Sequence, residues 1–232
     1  MKPVPTLKKI VKVSELLKDR LKETKHTSAE LAEAAEVPPE YIDEIIAGRR
    51  RPPLPSRTDI YDKMTRFLRL GRNDLNICAS AERTGGKAEK VGPLDDDVKR
   101  IMLALCEPET ARSLERRARK DEAELFDILT RLLAVVQGSA RRTLDDGITL
   151  RLQAAQRGSS YPVMRMRVLD FLDATPATVT VEDLNHFLRP RVERWDMDLQ
   201  TGVLRVILAA HEAPDQNRRR PQTRTGRMRL AG

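Results

Sequence analysis

The chain has 232 residues, 43 of them basic and 35 acidic, for a net charge of +8. Aromatic residues make up only 3%, so the cores must be built from Leu, Ile, Val, Ala and Met, which suits small helical bundles rather than sandwiches or barrels. No apolar run approaches the roughly 20 residues of a membrane span, and the N-terminal stretch MKPVPTLKKI lacks the apolar core of a signal peptide.

Cys78 and Cys106 are lone thiols in different segments, as expected of a protein kept in a reducing compartment. Charge is unevenly spread. Residues 216–232 hold six Arg and no acid, so the tail carries six of the eight net positive charges and the body is nearly neutral.

Residues 1–13, with Lys2, Lys8, Lys9, Lys12 and two prolines, read as an irregular basic arm. Helical spacing begins at Ser14 and runs through Leu16, Leu17 and Leu21. Thr27 or Ser28 then caps a second helix, AELAEAAE, and PPEYIDEIIAG opens a third on proline and closes it at Gly48. After a basic, proline-rich stretch, Ile60, Met64, Phe67 and Leu68 mark a further helix. Residues 79–93 have no large apolar residue except Val91 and contain a Gly-Gly pair, so they read as a flexible linker and domain boundary.

Beyond the linker, Val98, Ile101, Met102 and Leu105 predict a helix that Glu107-Pro108 interrupts. A short helix over 109–119 and a longer one over 121–136 follow, the latter ended by Gly138. The segment ARRTLDDGITLRLQ predicts a β-hairpin turning at Asp146-Gly147. Residues 161–208 read as helices followed by a second hairpin, VERWDMDLQTGVLRVIL, turning at Thr201-Gly202. Its Trp195, within an alternating strand pattern, is expected to pack under the hairpin rather than stack on a base. Residues 214–232 read as a disordered basic tail.

Residues 14–78, and above all TSAELAEAAEVPPEYIDEIIAGRRRPP, resemble the lambda-repressor-like Cro/XRE helix-turn-helix family. The carrying features are the hydroxyl cap, the Ala-Glu-Leu-Ala start, small Ala32, Val37 in the turn, and Ile42 and Ile45 on the third helix. YDKMTRFLRLGRNDL looks like the closing helix. The resemblance implies a mainly helical protein that binds double-stranded DNA, usually as a dimer on a symmetric site. It places Ser28 against the backbone, and Pro39, Glu40, Tyr41, Asp43 and Glu44 near base edges, with Arg49, Arg50 and Arg51 positioned to hold phosphates. It also implies a cytoplasmic protein associated with a bacterial nucleoid.

Two features oppose that reading. Six acids and no base lie between residues 30 and 44, and carboxylates beside DNA are repelled. Glu36 also replaces the glycine usual in the turn. An acidic face of this kind equally suits an adaptor or scaffold that docks a basic protein partner, leaving nucleic acid to the tail.

Residues 94–153 resemble a winged helix-turn-helix domain, with the hairpin at Asp146-Gly147 as its wing. Arg116, Arg117 and Lys120 then fall where such modules touch phosphate, and Arg218, Arg219 and Arg220 in the tail add a non-specific anchor. His26, His186 and His211 are far apart and none is near a Cys, and no phosphate-binding loop or nucleophile elbow is present. No enzyme, cofactor, metal or membrane partner is expected.

Overall fold

The structure, a computed structural model, describes residues 12–85 and 93–209. Lys2, Lys8 and Lys9 of the basic arm, residues 86–92 of the linker, and the tail with Arg218, Arg219 and Arg220 lie outside the described residues. The described chain is mainly helical, with a small two-stranded antiparallel sheet near its C-terminal end.

The first half consists of α1 (Val13–Thr24), α2 (Ser28–Ala35), α3 (Pro39–Ile46), α4 (Ile60–Phe67) and α5 (Asp74–Gly85). Each start follows a local signal. Thr27 forms a capping box with Glu30: the Glu30 N–H donates to Thr27 Oγ1 at 3.2 Å, and the Thr27 N–H donates to Glu30 Oε2 at 2.7 Å. Proline opens α3 without loss of a hydrogen bond. Val13, Leu17 and Leu21 of α1 pack with Leu31, Ala32, Ala35, Ile42 and Ile45 into the core.

Helix α5 corrects the linker reading for residues 79–85. Leu75, Cys78 and Ala79 recur at i, i+3 and i+4 and are buried, and the Val13 N–H donates to Glu82 Oε2 at 3.0 Å. Small side chains suffice here because the helix lies close against α1; a search for large apolar residues overlooks them.

The second half runs through α6 (Asp96–Ala104), α7 (Pro108–Ala118), α8 (Glu122–Asp145), α9 (Gly147–Gln156) and α10 (Tyr161–Asp173). A short α11 (Val181–Asp183) continues into a π-helical turn, Leu184–Leu188, ahead of β1 (Val192–Asp198) and β2 (Val203–Leu208). The hairpin expected around Thr201-Gly202 is present, with Trp195 opposite Val206 and Asp198 opposite Val203. The far edge of β1 pairs with residues 105–107, the Trp195 N–H donating to Leu105 O at 3.0 Å and the Glu107 N–H to Trp195 O at 3.2 Å. Trp195 is 0% exposed and its indole N–H donates to Met102 O at 2.6 Å, so it packs, as its strand position implied.

The wing hairpin expected at 139–153 is absent: those residues are helical except for Asp146. Helix α8 passes through Gly138, where the space beside the Cα is open, because Val136, Gln137, Ala140 and Leu144 continue its buried stripe. Asp146 is a cap between two helices, accepting from the Thr149 N–H at 3.2 Å and the Thr149 hydroxyl at 2.6 Å. An Asp-Gly pair serves a helix break as readily as a tight hairpin turn. The buried residues of the two halves form one continuous cluster.

Candidate nucleic-acid interface

Helices α2 and α3 meet at a tight turn built around Glu36, in the left-handed conformation at φ 58°, ψ 40°. The Glu36 N–H donates to Glu33 O at 3.0 Å and the Val37 N–H to Ala32 O at 2.9 Å, closing the end of α2. A glycine would hold this geometry without strain, whereas a residue with a Cβ loses roughly 1–2 kcal/mol there. The Glu36 side chain offsets that loss. It pairs with Lys63, accepts from the Tyr161 hydroxyl at 2.9 Å, and lies 3.7 Å from Arg151 Nη2. Burial favours its neutral form, yet the bonds from Lys63 and Tyr161 outweigh burial and hold the carboxyl below its usual range.

Tyr161 opens α10, a helix that packs on α8 and α9 and whose side chains reach the first half. Arg165 is 1% exposed; its Nε donates to Ala35 O at 3.2 Å and its guanidinium pairs with Asp59. Further along, Asp170 pairs with Arg50, and Asp173 lies 2.5 Å from Arg83, which also donates from Nε to Pro52 O at 2.7 Å. Sequence reasoning missed all of these α10 partners. The signal was available: Arg165 stands in the stripe of Tyr161, Val168, Leu169 and Leu172, where a cation must find a buried counter-charge.

The expected DNA-facing residues divide. Pro39, Glu40 and Asp43 are exposed along α3, and Ser28 is half-buried at the start of α2. Arg49 and Arg51 are exposed just beyond α3. Tyr41 is buried beneath the Arg50 guanidinium, 4.8 Å from its ring centre, so it does not face outward. Burial, with Asp170 close by, drives its hydroxyl pKa far up. Glu44 accepts from Arg50 Nε at 2.7 Å, so both residues, expected to meet DNA, are engaged within the protein. Arg116, Arg117 and Lys120 are exposed at the end of α7, which packs on α8, with Arg117 2.7 Å from Glu124.

The structure thus gathers Arg49, Arg50 and Arg51 with Arg83 and Arg167 around one groove of about 810 Å³, facing Asp170, Asp173 and Asp183. The α7 cations do not line it. Among the described residues no group of three His, Cys, Asp or Glu side chains is placed to hold a metal ion, and no helix is long and apolar enough to cross a membrane. Cys78 and Cys106 are buried and form no disulfide.

No protein-family model, curated protein or solved structure matches the chain.

Proposed function

We propose that the protein is a DNA-binding transcriptional regulator whose α2, turn and α3 act as a helix-turn-helix of the Cro/XRE kind. The observation that carries this reading is electrostatic. Of the six acids between residues 30 and 44, Glu30 is engaged in a helix cap, Glu36 by Lys63 and Tyr161, and Glu44 by Arg50. The remaining edge, half-buried Ser28 with exposed Pro39, Glu40 and Asp43, is flanked by Arg49 and Arg51, which supply the phosphate contacts. A dimer is part of the proposal, since such domains read paired half-sites. Ile148 and Leu152, one turn apart on α9 and 73% and 59% exposed, are the surface we assign to it. We place this activity in the cytoplasm, with the basic tail as a non-specific anchor.

Glu33, Glu40 and Asp43 favour a second reading. They are exposed and form no ion pair among the described residues, as a docking face for a basic protein would. Binding and genomic footprinting separate the two. For the regulator, footprints are discrete paired half-sites about one helical turn, or a multiple of it, apart. Replacing Arg49 and Arg51 by Ala lowers the salt dependence of binding by about 0.9 log units for each phosphate that is no longer neutralised. If removing residues 216–232 abolishes DNA binding while the double replacement changes nothing, the adaptor reading stands instead.

A further inference from the structure

A second cavity, also about 810 Å³, lies between α8, α9, the π-helical turn and the end of β2. Arg142, Arg157 and Arg191 converge on it, and among the described residues Asp146 is the single carboxylate in its wall. Asp146 is already committed to capping α9 through Thr149. Among the described residues, none of the three guanidiniums has a carboxylate within ion-pair distance. Crowded arginines without a counter-ion repel one another, and this arrangement is unfavourable unless an anion completes it.

Two of the cations are held in place from behind. Arg191 donates from Nη1 to Ser139 Oγ at 2.5 Å and from Nη2 to Thr143 Oγ1 at 2.8 Å, leaving further N–H groups for a ligand. Arg157 meets the His186 ring. Burial, then Arg157 and Arg167, depress the His186 pKa to about 4, against the opposing pull of Asp183 and Glu182, so the ring is a neutral acceptor at pH 7. Glu182 itself lies 3.0 Å from Arg167. Burial and the neighbouring Arg157 and Arg142 likewise hold Arg191 below its ordinary range. His186 and Phe187 reach the cavity from the π-helical turn, an irregularity found frequently at functional sites.

We infer that this cavity binds a small phosphomonoester with a hydroxyl-rich body, of the sugar-phosphate class. Three guanidiniums against one carboxylate match a dianion, and the planar fork of Arg fits phosphate oxygens in pairs. Thr149, Gln153 and Gln156 line the remaining wall and offer donors and acceptors to hydroxyls, while Phe187 and Leu208 supply an apolar side. The volume falls within the range of small-molecule sites, about 300–1,000 Å³, and leaves room beyond a phosphate group. The inference stands without the DNA-binding proposal, since none of these residues belongs to α2 or α3.

The test is a histidine NMR titration of the full chain, which has only three histidines, with ribose 5-phosphate as the probe. The expected result is a saturable shift of the His186 resonance and a rise in its pKa of about one unit, a tenfold gain in proton affinity as the dianion enters. Arg191→Gln weakens binding tenfold or more, and Arg142→Gln, at an exposed position, repeats the loss with the fold intact. The inference fails if no saturable shift occurs at millimolar probe, or if the Arg142→Gln protein binds as tightly as the parent. Sulfate saturating the site as well as the sugar phosphate would mean an adventitious ion only. A short DNA duplex that produces the same shift and displaces the probe would make the site part of a nucleic-acid surface and overturn it too.

Discussion

Two clusters of three arginines occupy this protein, and their electrostatics are opposite. At the junction with α10, Arg165 has Asp59, Arg50 has Glu44 and Asp170, and Arg83 has Asp173. In the cavity bounded by α8 and α9, Arg142, Arg157 and Arg191 face hydroxyls, amides, a neutral histidine and the one carboxylate of Asp146, which caps α9. The first cluster is closed: each cation has its counter-charge within the chain, and together they fasten α10 to the first half. The second is open and stores repulsion. A net charge of +8 therefore describes neither region, and an Arg-rich segment read from sequence is a fastening or a binding site according to where the acids fold.

The largest effect belongs to the closed cluster. Asp59→Ala leaves the Arg165 guanidinium buried and without its ion-pair partner, although its Nε still donates to Ala35 O and Glu36 remains within electrostatic reach. An uncompensated buried charge destabilises by about 3–5 kcal/mol, measurable by urea denaturation. Adding Arg165→Met removes the stranded charge and restores most of the loss. Burial works against ionisation of Asp59, but Arg165 and then Lys63 outweigh it and lower its pKa. Its contribution is thus present above the ordinary carboxylate range and disappears as pH falls through the lower folded value. If Asp59→Ala loses less than about 1 kcal/mol, the junction is not held by this pair.

Legibility also differs between the regions. The first half was readable because its signals are local: a hydroxyl cap, proline at a helix start, and apolar residues at helical spacing around Leu31, Ile42 and Ile45. The hairpin at Thr201-Gly202 was legible from alternation and a turn. Asp146-Gly147 misled because the same two residues also end one helix and cap the next, and only burial of Ala140, Leu144 and Leu150 decides between them. Glu44 lies only six residues from Arg50, but Asp170, its other partner, and Asp59, the partner of Arg165, lie 120 and 106 residues away, beyond any local window of sequence. Tyr41, Glu44 and Arg50, sensible as DNA contacts in isolation, are turned to internal use because distant Asp170 fixes Arg50 over Tyr41 and beside Glu44.

A smaller effect comes from the open cluster and has a pH signature. His186 protonates near 6.5 when exposed but only at about 4 in the folded chain. Between those values the unfolded state takes up the proton first, so stability falls with pH from about 6.5 to about 4. Allowing for solvent screening, the loss across that window is roughly 1–2 kcal/mol. His186→Gln flattens this part of the stability curve in urea titrations, whereas Thr143→Val leaves its slope unchanged. An unaltered slope in the His186→Gln protein would show that neither burial nor the neighbouring cations lower the pKa of this ring.

The smallest effect is the most discriminating, because its sign differs between the clusters. Arg50→Gln removes a cation that two carboxylates hold, and it lowers stability by about 1 kcal/mol. Arg142→Gln removes a cation that repels Arg191 and that no carboxylate pairs with among the described residues, and it raises stability by roughly 0.5 kcal/mol. Functional sites commonly carry such a deficit, since a group poised for a ligand is strained without it. Phosphate in the buffer sharpens the contrast: a bound anion satisfies the parent cavity, so the gain from Arg142→Gln shrinks or reverses while the loss from Arg50→Gln stays as it was. Equal losses from both changes, indifferent to phosphate, would mean that the two clusters are electrostatically alike.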